Sequence, residues 1–254
     1  VHGYDDQTYG DAFADVYDDW YEDLGDLDAT VGTLARLAGD GPVLELGVGT
    51  GRVAVPLAAT GLEVHGVDTS EAMLARLRAR PDGHWVHVRR ADMVDGLPLG
   101  PFRLVFVAYN TLFNLRTEER QRACFAAVAA RLTPDGCFAV EAFVPDPDRP
   151  AGSTIGVRRL QADRVVLTVD VHDPHEQTAE GHFVEITEAG GVRLRPWSIR
   201  YATPAQLDAM AAAAGLGLAE RWADWAGTPF DERSERHISV YRPMNTSGVT
   251  AAVS

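Results

Sequence analysis

Three acidic residues, each closing a run of apolar residues, carry the sharpest chemical signal in this sequence. Glu45 opens Glu45-Leu46-Gly47-Val48-Gly49-Thr50-Gly51, a glycine loop between an apolar run and a helical stretch. Glycines at Gly47, Gly49 and Gly51 let the backbone pass close to a ligand at the carboxyl edge of a sheet. Asp68 stands about twenty residues further on, where an acid can accept both ribose hydroxyls of a nucleoside. Asp92 follows a third apolar run and can accept from an adenine amino group, with the Met93 backbone N–H facing a ring nitrogen. The dinucleotide pattern would need glycine where Arg52 stands, and Glu45 would lie beside a pyrophosphate. An anion at Glu45 suits a cationic, phosphate-free nucleoside better. Asp68 also admits a structural role, as a helix cap acting with Ser70.

The elements that must position these residues follow from apolar periodicity. Apolar runs at Pro42–Leu46, Glu63–Val67, His84–Arg89, Phe102–Ala108 and Cys137–Phe143 alternate with helical patterns at Arg52–Ala59, Glu71–Arg80 and Glu118–Leu132. The run at Phe102–Ala108 is nearly continuous, as in a strand buried on both faces. Thr133-Pro134-Asp135-Gly136 reads as a turn. This rhythm predicts right-handed crossovers and an α/β fold, with a doubly wound, Rossmann-like, mostly parallel sheet of seven strands. It breaks at Pro145. Arg164–His172, Gly181–Glu188 and Val192–Tyr201 then read as strands of an antiparallel β insertion. A helix capped at Thr203 and stopped at Gly215 follows, then strands near Leu218–Ala223 and Arg236–Tyr241. Before the core, Tyr9, Phe13, Val16, Tyr17, Trp20 and Tyr21 recur at helical steps and predict an amphipathic cap. The expected divisions are a helical cap over 1–40, a cofactor core over 41–143, an insertion over 144–202 serving as substrate lid or dimer element, the rest of the core over 203–243 and a flexible tail over 244–254.

S-adenosylmethionine (SAM), which has an α-ammonium, a sulfonium and a ribose but no phosphate, matches these acids. Residues 43–51 with Asp68, Asp92 and the stretch Tyr109-Asn110-Thr111-Leu112-Phe113-Asn114-Leu115 resemble the class I SAM-dependent methyltransferases. The segment from Tyr9 to Asp18 is similar to that of amino-sugar N,N-dimethyltransferases of antibiotic pathways. The stretches Arg200-Tyr201-Ala202-Thr203 and Arg236-His237-Ile238-Ser239-Val240 are similar to bacterial peptide α-N-methyltransferases. The resemblance implies that Tyr9 and Tyr17 close over the methionyl end of the cofactor and that Asn110 lies beside the sulfonium. It is weaker outside the cofactor half, and Asn114 stands where the amino-sugar enzymes carry histidine. Arg52, Thr69, Met73 and Met93 complete the expected cofactor set, the methionines on the faces of the adenine or within the core.

Composition narrows the alternatives. The chain has 254 residues, 37 acidic and 23 basic, a net charge of −14 and two cysteines. Nucleic-acid binding is not expected, because the cations are outnumbered and scattered. Every basic residue other than histidine is arginine, which excludes a lysine Schiff base. Cys124 and Cys137 form neither a zinc motif nor a disulfide framework. His172, His175 and His182 lack a metal-binding register, so no metal is expected. No apolar run reaches a membrane span, and the first residues lack a signal-peptide pattern. A cytoplasmic protein, monomeric or homodimeric, is expected.

Candidate acceptor-facing residues are Trp20, Tyr21, Tyr109, Asn114, Glu141, Phe143, Trp197, Arg200, Tyr201, Trp225 and His237, with Tyr109, Asn114 and His237 the candidates for catalysis. Displacement at a sulfonium needs no protein nucleophile, only positioning and desolvation. An acidic pocket without an evident base favours nitrogen over oxygen in the acceptor. The expectation is methyl transfer to a small bacterial secondary metabolite. A peptide or protein amine acceptor, a SAM-binding protein without transfer, and a NAD-dependent oxidoreductase remain the alternatives.

Overall fold

The computed structural model describes residues 1–21 and 25–244; the expected flexible tail, beyond Met244, lies outside them. Five strands, β1 (Val43–Leu46), β2 (Val64–Asp68), β3 (Val86–Arg90), β4 (Phe102–Val107) and β5 (Leu132–Phe143), pair in parallel. Two more, β10 (Leu216–Trp222) and β11 (Arg236–Pro243), close the sheet in the order β10-β11-β5-β4-β1-β2-β3, with β11 antiparallel to both neighbours. Chain order reverses between β1 and β4, so the loops after these strands open onto one crevice.

Helices α3 (Leu27–Ala38), α4 (Ala54–Ala58), α5 (Glu71–Ala79), α6 (Glu118–Ala129) and α7 (Pro204–Ala213) accompany this sheet. One apolar cluster joins α3, α4 and α5 to β1, including Leu34, Leu57, Leu74 and Val43. A second joins α6 and α7 to β4 and β5, including Phe125, Leu207, Val105 and Phe138. Burying each large apolar side chain stabilises the fold by about 1.5–3 kcal/mol. The strand β1 is buried along its whole length, which fixes the glycine loop at its end. Thr203 and Gln206 form a capping box on α7, with Pro204 in its first turn.

The insertion contains four strands rather than the three expected. β6 (Gly152–Leu160), β7 (Arg164–Asp173), β8 (Thr178–Thr187) and β9 (Val192–Arg200) form a separate antiparallel sheet. β6 lies at its edge and is exposed at nearly every residue. Without a buried face it has no reason to alternate apolar and polar side chains. The expected turn at Thr133–Gly136 also differs, since β5 runs through it with a register shift against β4.

The aromatic N-terminal segment is broken into α1 (Thr8–Phe13) and α2 (Tyr17–Trp20). The break lies where Arg195 of β9, itself 1% exposed, takes the carboxylate of Asp15 at 2.7 Å and also donates to the Ala12 carbonyl. Gly10 of α1 lies so close to Ser70 that a Cβ there would approach the Ser70 Cβ to 2.4 Å. Ser70 donates to Asp11 at 2.6 Å, and Thr50 of the glycine loop donates to Asp18 at 2.6 Å. The cap is thus pinned to the main sheet on one side and to the insertion on the other.

Candidate cofactor and acceptor site

The glycine loop leaves β1 with Gly47 and Gly49 in the left-handed region, at φ 69° and 54°. A Cβ on Gly47 would lie 2.3 Å from the Thr111 Cγ2, so only glycine admits this approach to the loop after β4. Asp68, at the end of β2, accepts from the Gly49 N–H at 2.9 Å and from the Ser70 N–H at 2.9 Å. Ser70 caps α5 by accepting from the Met73 N–H. The cap weighed for Asp68 is thus Ser70, which Asp68 holds in place through the Ser70 N–H. Burial pushes its carboxyl up, against the pull of these two N–H groups.

Glu45 lies beneath the loop at 4% exposure, and its Oε2 has no hydrogen-bond partner among the described residues. Burial pushes its carboxyl up to about 8, opposed by the nearby positive charge of Arg52. Glu45, Arg52, Tyr17 and Tyr109 line a small recess with the loop glycines. A buried carboxylate oxygen without a donor is costly, and an ammonium placed there would satisfy it.

A cleft continues from the loop toward β3. Tyr9, Tyr17, Gly47, Gly49, Asp68, Thr69, Met73, Asp92, Met93 and Asn114 line it. Asp92 is more committed than its sequence position suggests. Its Oδ1 accepts from the Val94 and Asp95 N–H groups and from Arg120 at 2.7 Å. The Thr69 hydroxyl donates to the Asp6 carbonyl at 2.7 Å, so its side chain holds the cap.

Beyond the cleft lies a second, more open chamber, sharing Tyr9, Tyr17, Thr111 and Asn114 with the first. Tyr21, Tyr109, Phe143, Phe183 and Trp197 supply most of its remaining walls. Tyr109 and Asn110 stand in succession at φ 47° and 64°, a strained turn after β4. Glu141 holds it: its Oε2 accepts from the Tyr109 N–H at 3.0 Å and its carbonyl from the Asn110 N–H at 3.1 Å. The Asn110 Oδ1 accepts from the Phe143 N–H at 2.6 Å.

Several expected acceptor-facing residues lie elsewhere. His237 is fully buried, shares a hydrogen bond between Nδ1 and the Ser239 hydroxyl, and lines neither chamber. Burial lowers its pKa to about 4, so at neutral pH it is an uncharged imidazole inside the sheet. Tyr201 bonds His172 at 2.7 Å, Arg200 bonds Gln121 and Glu118, and Trp20 packs behind Phe13 and Phe183. Phe183, Thr111 and Ile199 were not foreseen as walls. Alternation along β8 and β9 puts Phe183 on the inner face, and Thr111 follows directly in the loop after β4.

Glycine loop, acid-tipped β2 and reversed strand order together define the cofactor end of a class I SAM-dependent methyltransferase. Comparison with known proteins agrees. Residues 43–136 match the family described as "Methyltransferase domain". The chain is 44% identical to the CcbJ methyltransferase from Streptomyces caelestis, covering 95% of this chain and 100% of that one, with a TM-score of 0.88. It is 28% identical to the cypemycin N-terminal methyltransferase of a Streptomyces species over 200 residues, 78% of this chain and 81% of that protein. The amino pentose methyltransferase CalS10 from Micromonospora echinaspora shares the fold, at 23% identity and a TM-score of 0.67 over 89% of this chain and 96% of that one. The chain belongs to the class I SAM-dependent methyltransferases, and SAM is its methyl donor.

Proposed function

We propose that the acceptor is an amine of a small bacterial secondary metabolite, bound in the aromatic chamber. The lining of that chamber carries the reading. Its titratable residues are all tyrosines, and burial raises the phenols of Tyr9, Tyr17 and Tyr109. Such phenols are not bases at neutral pH, so an oxygen or carbon acid would find nothing there to ionise it. An amine becomes a nucleophile by losing its own proton to water before it binds.

SAM supplies an activated methyl group and a neutral thioether leaving group. The chain's own residues supply position. Glu45 receives the α-ammonium, Asp68 the ribose hydroxyls and Asp92 Oδ2 the adenine amino group, while Met73 and Met93 flank the ring. Tyr9 and Tyr17 exclude water where the chambers meet. Asn114 and the Tyr109–Asn110 turn orient the amine, and Asn114 can accept its N–H so that the lone pair faces the cleft. Rigid placement of the reacting atoms can supply about 7–11 kcal/mol of the barrier reduction.

A peptide α-amine is the second reading, supported by likeness to the cypemycin N-terminal methyltransferase over 78% of the chain. Mass spectrometry of reactions with SAM and panels of secondary amines, phenols and short peptides tests both. Addition of 14 Da, the arithmetic of one CH₂, to a non-peptide amine is the expected outcome; methylated phenols alone would overturn the assignment to nitrogen.

A further inference from the structure

The pairing of β6 with β7 sets Val157 opposite Leu167 and Arg159 opposite Val166, so Arg158 is the extra residue of a β-bulge. Bulges re-aim a side chain out of the alternation of its strand. Here the guanidinium of Arg158 lies over three aromatic rings, 4.5 Å from the centroid of Phe183, 5.3 Å from that of Tyr21 and 5.6 Å from that of Trp20. Phe183 and Tyr21 are walls of the acceptor chamber. Arg195, which also lies over Trp20, is neutralised by Asp15 and Glu185. Arg158 has no carboxylate partner among the described residues, although the chain carries 37 acidic side chains.

Building on the methyl-transfer reading above, we propose that Arg158 is a specificity-determining residue and that the acceptor carries a carboxylate, separated from its amine by an apolar body. The three rings give the guanidinium a cation–π seat, while Arg158 stays exposed, so its N–H groups are available for bidentate recognition of a carboxylate. Among the described residues the chamber's own lining holds no cation, and Arg158 reaches it only through the walls it stacks on, Phe183 and Tyr21. On a chain of net charge −14, an anionic group is repelled at long range and needs a local positive charge to be held. The aromatic walls take the apolar body and Arg158 takes the anion at the rim, so the amine points inward toward Asn114.

Calorimetric titration of the full chain loaded with S-adenosylhomocysteine tests this, with 3-phenylpropionate and 3-phenylpropanamide as matched probes. The acid is expected to bind about tenfold tighter than the amide, the range of a charge-assisted contact. Arg158→Gln should erase the difference while amide affinity and the melting temperature persist, and Arg158→Lys should restore part of it. Equal affinities, undetectable binding of the acid to the wild-type chain, or a preference that survives Arg158→Gln would each overturn the inference. Failure of S-adenosylhomocysteine itself to bind would instead defeat the cofactor site, which keeps the two claims separable.

Discussion

Glu45 shows how one side chain ties stability to ligand. Its usual value of 4.5 rises to about 8 because burial opposes the charge, despite Arg52. Between these values the folded chain holds a proton that the unfolded chain releases, so the ligand-free fold loses stability as pH rises from about 4.5 to 8. An ammonium partner requires the ionised carboxylate. SAM affinity should therefore climb by up to about tenfold per pH unit below pH 7 and level off above about 8, and Glu45→Gln should flatten the profile in calorimetry. Asp68→Ala removes the proposed ribose acceptor together with the anchors of Gly49 and Ser70. Its expected cost is about 1–3 kcal/mol of SAM binding, again read by calorimetry. Both acids were legible in the sequence because each ends an apolar run. The engagement of Asp92 with Arg120 was not, since nothing local links an acid after β3 to a helix beyond β4. His237 illustrates the converse, because a histidine near a strand end gives no sign of which face of the sheet it enters.

At the scale of elements, the loops after β1 and β4 act as one unit through Gly47 and Thr111. Gly47→Ala places a methyl group 2.3 Å from Thr111 and forces a left-handed φ on alanine. Loss of about 1–3 kcal/mol of stability is expected in chemical denaturation, together with weakened SAM binding. Thr111→Ser in the same chain should recover only part of it, since the backbone strain persists. The parallel strands and α5, α6 and α7 were legible because apolar runs and caps signal them locally. Strand β6 was not, because an exposed edge strand lacks the alternation that marks a half-buried one. Nor was the break between α1 and α2, where Arg195 bonds to Asp15 and Ala12 outweigh a continuous helical pattern.

For the whole molecule, a charge of −14 acts on ligands before contact. SAM carries a net positive charge and S-adenosylhomocysteine none, so stopped-flow association of SAM should slow as salt rises while that of the product stays nearly constant. Equal salt dependence for the two would show that the surface charge plays no part in capture. The aromatic cap sets a second behaviour of the whole chain. α1 and α2 cover the cleft and also wall the chamber, with Tyr9 and Tyr17 common to both. The deeper compartment cannot fill once the outer one is occupied and the cap is seated. An ordered turnover is the expected consequence: donor first, acceptor second, methylated product away before the spent thioether. In steady-state kinetics the spent thioether is expected to compete with the donor alone, and a surplus of acceptor to stall the enzyme in a dead-end complex.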